Sequence, residues 1–309
     1  MAHNVETMAY AGKTPWHGLG TKVIDDMTPD EMLVQAGLDW EVEKRPMFYS
    51  SDMFRKEVKG KQALVRKTDD SLLDVVGDDW IPVQNREALS FFDEFCKAGE
   101  MKMDTAGSLQ RGRYVWALAS IQEGFTLPGE DRVEGYLLFS NPHVYGVKID
   151  VMFTPIRVVC NNTLNIALDL AAKNRFRKTH RSAFSAQEAK EFLGLARNQF
   201  QLFEENCRML AAVKMTEEQL DDYLMQLFPA NGEDKVSRVV EQALAIFESQ
   251  PGANMSHGSF WHAYNTVTYL TDHVVGRAQE SRMHSAWFGD RAKLKQRAFT
   301  LATNMAEAA

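Results

Sequence analysis

The hydrophobic pattern of this sequence changes its period near residue 183. Between residues 109 and 157, apolar and polar positions alternate in short runs, which is typical of β-strands. After residue 183, apolar residues recur every three or four positions, as they do along one face of an α-helix. We therefore predict an α+β fold in two parts, an α+β domain at residues 1–183 and a helical region at residues 184–309.

The centre of the first part is predicted to be three strands followed by a helix. The strand runs lie at residues 113–121, 132–140 and 141–155. Short connections between them favour an antiparallel meander. Residues 162–173 then have helical spacing, with Asn161, Asn162 or Thr163 as the N-cap. The resulting β-β-β-α unit, residues 109–183, is the predicted core.

Local signals predict the flanking elements. Residues 28–37 combine an N-cap threonine, a proline at the first helical position and a final glycine, which indicates a short helix. Residues 62–77 are predicted as a hairpin that turns at Asp69–Asp70. Capping boxes begin at Ser185 and Thr216. A strand is predicted at residues 38–50, one helix at 84–99, and further helices at 235–249, 259–275 and 290–305.

Composition limits the class of protein. The chain has 309 residues, 45% of them hydrophobic, enough to bury one large core or two modest ones. No run of about 18 apolar residues is present, and the N-terminus lacks the basic-then-apolar order of a signal peptide. The three cysteines are Cys96, Cys160 and Cys207, widely spaced. We therefore expect a cytoplasmic protein with no membrane segment, reduced thiols and no disulfide framework.

Charge is distributed unevenly, although the total is −7. Residues 1–100 carry 12 basic and 19 acidic side chains, and residues 184–272 carry 6 and 13. Residues 101–183 carry 11 basic and 7 acidic side chains, and residues 273–309 carry 6 and 3. Two basic blocks within an acidic protein are compatible with a polyanionic partner. Solvated faces that differ in charge by chance are the alternative.

Patterns for catalysis and cofactor binding are weak. The glycine-rich residues 12–23 have neither Walker spacing nor Gly-x-Gly-x-x-Gly after a strand. His257, His262 and His273 lack a further metal ligand at a suitable spacing. Cys160 precedes a predicted helix, where the pKa of a thiol is lowered, but the sequence gives it no base. We predict no cofactor, no metal and no catalytic residue, and leave open a site assembled from distant residues.

The basic blocks are the stronger signal, because aromatic residues accompany the cations. Cations bind phosphates and aromatic rings stack on bases, and together they bind single strands without sequence preference. The candidate nucleic-acid-binding residues are Arg111, Arg113, Arg157, Lys173, Arg175, Phe176, Arg177, Lys178 and Arg181. A secondary basic patch comprises Arg277, Arg282, Arg291, Lys293, Lys295 and Arg297. Cations also interact favourably with a helix C-terminus, so a purely structural role is the alternative.

Five phrases of the sequence together resemble one family. They are "TPWHGLGTKV", "AGLDWEV", "DDWIPVQNREAL", "PIRVVCNNTL" and "AYNTVTYLTDHVVGR". They are similar to the uncharacterised phage/plasmid-like protein family, a domain of unknown function found on phages, prophages and conjugative plasmids. The resemblance covers nearly the whole chain and is most specific around residues 157–164. It implies a role in the DNA metabolism of mobile elements, because single-strand binding and recombination genes accompany the family.

A more distant similarity concerns the layout alone. Three strands, a helix and a basic groove resemble the core of single-strand annealing proteins, which form rings or helices and lay single-stranded DNA along a cationic groove. We therefore expect a phage- or plasmid-encoded protein that binds and anneals single-stranded DNA as a homo-oligomer, without a cofactor. The alternative is a protein-interaction module, such as an inhibitor of a host defence enzyme. A nuclease or other hydrolase and a structural virion protein are further possibilities.

Overall fold

The computed structural model describes residues 5–12, 19–51, 54–157, 162–163, 175–182, 186–230, 237–275, 285 and 289–309. The architecture is mixed α+β with antiparallel sheets, which confirms the predicted fold class. The strands are β1 Val5–Tyr10, β2 Thr21–Lys22, β3 Val42–Ser51, β4 Phe54–Arg66, β5 Ser71–Gly77, β6 Met101–Leu109, β7 Tyr114–Leu127, β8 Asp131–Pro142, β9 Ile149–Arg157, β10 Asn162–Thr163 and β11 Arg175–Lys178. The helices are α1 Pro29–Gln35, α2 Asn85–Ser90, α3 Asp93–Lys97, α4 Ala186–Ala212, α5 Glu217–Leu227, α6 Arg238–Phe247, α7 Phe260–Tyr269, continued by a π-helical turn at Leu270–Val274, and α8 Asp290–Glu307.

The larger sheet contains the predicted meander. Its strand order is β10-β9-β8-β7-β6-β1-β2, so β7, β8 and β9 are neighbours in chain order, as predicted. β1 and β6 extend the sheet beyond the prediction, with Tyr10 opposite Thr105 in antiparallel register. The turn from β6 to β7 has left-handed backbone at Gln110, Arg111 and Gly112.

The basic segment after the meander returns to the same sheet. β11 pairs with β9 in antiparallel register, with Phe176 opposite Val151 and Arg177 opposite Asp150. The helix predicted at residues 162–173 falls largely on residues 164–174, outside the described part of the chain. It does not begin at Asn162, because β10 is extended and paired with β9. The cations were expected at a helix end, and those at residues 175–178 instead lie on a strand.

β3, β4 and β5 form a second, three-stranded antiparallel sheet. The β4–β5 hairpin turns at Asp69–Asp70, as predicted, and Asp70 has a left-handed φ of 56°. The carboxylate of Asp69 accepts hydrogen bonds from the backbone N–H and the hydroxyl of Ser71. The turn is therefore stabilised by side chains next to it in the sequence.

β3 and β4 continue past β5 as a two-stranded ribbon. β5 pairs with β4 only at residues 61–66. β3 pairs with β4 there and again farther out, where residues 48–51 lie opposite residues 54–57. A register shift separates the two stretches. We refer to residues 46–61 as the arm.

The predicted starts of α1 and α5 are confirmed, the capping box predicted at Ser185 lies outside the described residues, and one predicted helix is wrong. Thr28 and Glu31 form a capping box at the start of α1, and Thr216 and Gln219 form another at the start of α5. The single helix predicted at residues 84–99 is wrong, because the chain breaks into α2 and α3. Phe91 and Phe92, at the break, are both buried. Adjacent residues of one helix are about 100° apart around its axis, so the break lets both rings face the core.

The chain divides into two compact units. The first unit comprises Met1–Gln122, Leu137–Met152 and Arg175–Phe192, and the second comprises Glu123–Tyr136, Phe153–Asn174 and Leu193–Ala309. In the second unit, Phe203 stacks on Phe299 with ring centroids 5.1 Å apart, and Trp261 Nε1 donates to the buried carboxylate of Asp131 at 2.8 Å. The boundary predicted near residue 183 stays a prediction.

Candidate nucleic-acid interface

Two cations of β11 are held by carboxylates of the first unit. Arg177 Nε donates to Asp150 Oδ1 at 2.8 Å, and Lys178 Nζ donates to Glu188 Oε2 at 2.7 Å. The Asp150 carboxylate is almost fully buried, whereas half of the Arg177 side chain is exposed. The bond holds the Nε atom of Arg177. The other N–H donors of the guanidinium can bind a second anion.

The turn after β11 is fixed against the residues that follow β5. Arg181 Nε lies 3.0 Å from Asp79 Oδ2, and 69% of the Arg181 side chain is exposed. His180 is buried and stacks on Trp80, and its backbone carbonyl accepts a hydrogen bond from Ile81 N at 2.6 Å. His180 therefore anchors the segment, while Arg181 reaches solvent.

An exposed tyrosine lies among further cations of the first unit. Lys61 Nζ lies 5.0 Å from the centroid of the Tyr145 ring, within the range of a cation–π contact. The backbone N–H of Tyr145 donates to Asp74 Oδ2 at 2.8 Å, and Arg113 Nη2 lies 3.5 Å from the same oxygen. The backbone of Tyr145 and the guanidinium of Arg113 therefore share the Asp74 carboxylate, and Lys61 lies over the ring of the same tyrosine.

Gly77 lies between Tyr145 and Asp79, the carboxylate partner of Arg181. A Cβ added at Gly77 would lie 2.7 Å from Asp79 Oδ1 and 3.9 Å from Tyr145 Cε2. The Asp79–Arg181 pair and the Tyr145 ring consequently flank the same glycine. A Cβ at position 77 would require the Asp79 carboxylate to move, whereas the Tyr145 ring would be in ordinary van der Waals contact with it.

We define the central cluster as these five cations, the four carboxylates that pair with all of them except Lys61, and the tyrosine. Its members are Lys61, Arg113, Arg177, Lys178, Arg181, Asp74, Asp79, Asp150, Glu188 and Tyr145. Five cations against four carboxylates leave a surplus of one positive charge. A phosphate that binds at this surface would therefore contact arginines that also pair with carboxylates.

The remaining central candidates lie in several places. Arg111 is exposed in the β6–β7 turn, with φ of 59°. Phe176 is half-buried on β11. The backbones of Arg157 and Arg175 lie on β9 and β11, and their side chains are outside the described part of the structure. Lys173 also lies outside the described residues.

The secondary basic patch is only partly a surface feature. Lys295 is fully buried, and its Nζ lies 2.8 Å from Asp272 Oδ1, so the prediction that it binds phosphate at the surface is wrong. Arg291 Nη2 donates to the Val275 carbonyl, Arg297 Nη2 donates to the Leu227 carbonyl, and Lys293 is exposed beside Asp290. Arg277 and Arg282 lie outside the described residues.

Within the described ranges, the structure offers little for metal or thiol chemistry. No group of three or more His, Cys, Asp or Glu side chains there is placed to hold a metal ion. Burial raises the pKa of the Cys96 thiol to about 11 and that of Cys207 well above its usual range, so both are protonated at neutral pH. No helix in this part of the chain is long and apolar enough to cross a membrane.

Sequence reasoning missed Tyr145 and Lys61 as members of the cluster. Tyr145 was assigned to a predicted strand, and Lys61 was counted within an acidic block. The two residues are far apart in the sequence, and only the fold brings them together. Asn141-Pro142 is a turn signal in the sequence, but both residues belong to β8, and Tyr145 lies in the turn that follows them.

Fold and site together define a mixed α+β protein whose first unit carries a cluster of ion pairs beside one exposed tyrosine. The chain belongs to a family described as a domain of unknown function (DUF932), whose model matches residues 72–287. No curated protein and no solved structure matches the chain. The resemblance to a family of unknown function is confirmed to that extent.

Proposed function

We propose that this protein binds single-stranded DNA on the central cluster and anneals complementary strands as a homo-oligomer. The setting that we infer is the cytoplasm of a host that carries a phage or plasmid. The observation that carries the proposal is Tyr145, whose ring is half exposed beside Lys61 and whose backbone N–H shares the Asp74 carboxylate with Arg113. An accessible ring among cations suits the combination of base stacking and phosphate binding that single strands require.

The ion pairs of the central cluster are compatible with this function. Asp74 and Asp79 orient the guanidinium groups of Arg113 and Arg181, and each arginine has five N–H donors, of which these contacts use a part. Exposed ion pairs contribute about 0–1 kcal/mol, so a phosphate can displace or join the carboxylate at small cost. The small charge surplus makes binding modest and strongly dependent on salt.

Annealing also explains why no catalytic group is needed. Two strands have to be neutralised and held with their bases accessible, after which pairing proceeds without bond breaking. A homo-oligomer would extend one cluster into a continuous track. This part of the proposal derives from the resemblance in layout to annealing proteins.

The first test is fluorescence anisotropy with a labelled oligo-dT of about 40 nucleotides at several salt concentrations. The variant is Arg177→Gln/Arg181→Gln. The matched control is Lys67→Gln/Arg86→Gln, which removes two exposed cations of the first unit that also have carboxylate partners. We expect weaker binding in the first variant only. Its log–log salt slope should fall by about 0.7 for each lost phosphate contact.

No binding by the wild-type protein at low salt would refute the proposal. Equal losses in both variants would mean that net charge, and not the central cluster, determines binding. A second experiment mixes complementary strands and follows pairing by fluorescence quenching. We expect the wild-type protein to accelerate pairing and to form a defined oligomer by light scattering, and a monomer that does not accelerate pairing would contradict the annealing step.

A further inference from the structure

The arm at residues 46–61 has two strands, whereas the rest of the small sheet has three. β5 pairs with β4 at residues 61–66 of β4, so within the described strands residues 48–51 and 54–57 pair only with each other. Two-stranded ribbons are marginally stable in water by themselves. The outer arm nevertheless exposes three aromatic rings, those of Phe48, Tyr49 and Phe54.

The register divides these rings between the two faces of the ribbon. Phe48 lies opposite Glu57, and Arg55, on the same face, lies with its Cζ 4.2 Å from the Phe48 ring centroid. Tyr49 lies opposite Lys56, so the other face carries Tyr49, Lys56 and Phe54. We refer to this second face as the stacking face.

The two rings of the stacking face are widely exposed. Tyr49 is 52% exposed and Phe54 is 65% exposed. They are diagonal neighbours across the ribbon, a relationship that places side chains roughly 7–8 Å apart. No carboxylate of the described residues lies on this face. Exposed aromatic rings in such number on one short ribbon are typical of a binding surface.

Charge distinguishes between possible occupants. Residues 46–61 contain four cations, Arg55, Lys56, Lys59 and Lys61, and two acidic residues, Asp52 and Glu57. In the central cluster each arginine has a carboxylate partner. On the arm, by contrast, none of the four cations forms an ion pair within the described residues. Arm-to-arm contact between two copies would bring like charges together, whereas a polyanion would neutralise them.

We propose that the stacking face of the arm binds the bases of single-stranded nucleic acid. Tyr49 and Phe54 stack on neighbouring bases, and Lys56, on the same face, binds an adjacent phosphate. This inference rests on the proposed function for its ligand class but concerns a separate surface. The arm also precedes the residues matched by the family. Stacking on such rings is tolerant of sequence, because every base has a π-face.

The test compares Tyr49→Ala/Phe54→Ala with the wild-type protein in anisotropy titrations. Two probes of equal length are used, oligo-dT and an abasic deoxyribose-phosphate strand. The matched control is Leu72→Ala, which shortens an exposed apolar side chain of β5 in the same sheet. We expect the double variant to bind oligo-dT at least about tenfold more weakly and the abasic strand with unchanged affinity. A Tyr49→Trp/Phe54→Trp variant should retain tight binding, because indole also stacks.

Failure of this inference and failure of the proposed function give different results. If the wild-type protein binds no DNA, the proposed function fails and the arm loses its ligand. If the wild-type protein binds oligo-dT and the double alanine variant binds it equally well, only the stacking role is overturned. Equal losses on both probes would also overturn it, since bases would not be involved. Dissociation of an oligomer in the variant, with DNA affinity unchanged, would make the arm a contact between copies instead. Thermal unfolding of each variant confirms that the fold is intact.

Discussion

The imidazole of His180 lies on the indole of Trp80, with ring centroids 4.2 Å apart and planes inclined by 20°. His180 Nδ1 lies 3.1 Å from the Ile81 carbonyl oxygen, which can only accept, so Nδ1 carries the proton. Together with the bond from Ile81 N to the His180 carbonyl, this contact fixes the turn after β11. The position of Arg181 therefore depends on a neutral, buried histidine next to it.

We predict that the protein loses stability in mild acid through His180. Burial lowers its pKa from 6.5 to about 4 in the folded chain. The unfolded chain takes up the proton first, so the stabilisation is complete above pH 6.5 and is lost as the pH falls from 6.5 towards 4. The full loss, reached below pH 4, is roughly 3 kcal/mol, and about 2 kcal/mol of it occurs by pH 5. Urea unfolding of wild type and His180→Phe at pH 7.5 and 5 measures it, and the gap between the two proteins should narrow at pH 5.

The control for this pH effect is His257→Gln, which changes an exposed histidine of the second unit that pairs with Glu248. If the unfolding free energy of His180→Phe changes between pH 7.5 and 5 by as much as that of the wild type, His180 is not the group that titrates.

We predict that Asp79→Asn strengthens binding of single-stranded DNA. The substitution keeps the shape of the side chain and removes the charge that competes for Arg181. An exposed ion pair is worth about 0–1 kcal/mol, so the dissociation constant should fall by roughly twofold to fivefold. Glu41→Gln, which frees Lys67 elsewhere in the first unit, is the control and should have a smaller effect. Unchanged affinity in Asp79→Asn would indicate that Arg181 does not contact DNA.

We predict that Lys295→Met destabilises the second unit by about 3–5 kcal/mol, because it leaves the buried Asp272 carboxylate without its cation. The double variant Lys295→Met/Asp272→Leu should recover most of that stability. Lys293→Met on the same helix changes an exposed lysine beside Asp290, and its effect should stay within about 0.5 kcal/mol. Urea unfolding measures all three. A double variant as unstable as the single one would mean that the pair is stabilising by itself.

We predict slow alkylation of the two described thiols. In a Cys160→Ser variant, Cys96 and Cys207 should react with iodoacetamide at pH 8 only slowly until urea is added. A rise in the pKa of Cys96 from 9.0 to about 11 alone reduces its thiolate about a hundredfold at that pH. Mass spectrometry of tryptic peptides follows each site. Rapid labelling of Cys96 in the native protein would show that its thiol is accessible and ionised.

Elements whose signals lie within a few residues were predictable. The N-cap at Thr28, the capping box at Thr216 and the turn at Asp69–Asp70 each contain their own hydrogen-bond donors and acceptors, so the sequence alone predicted them. The same reasoning failed at Phe91 and Phe92, because their burial depends on Phe139, a residue distant in the sequence.

The candidate site was predictable only in part, for the same reason. The cations of residues 175–181 stood out by composition, but their carboxylate partners Asp79 and Asp150 are contributed by other strands and turns. Whether a lysine is exposed also depends on the fold. Lys293 and Lys295 are two residues apart in the sequence, yet one is in solvent and the other is enclosed.

The turn between β6 and β7 has a consequence for how this protein can be improved. Gln110 and Arg111 both have a left-handed backbone, a conformation that costs an ordinary residue about 1 kcal/mol more than it costs glycine. Arg111→Gly would relieve that cost in the folded chain and remove an exposed cation two residues before Arg113, a member of the central cluster. A change made for stability at this position would therefore lower the positive charge beside the proposed DNA surface.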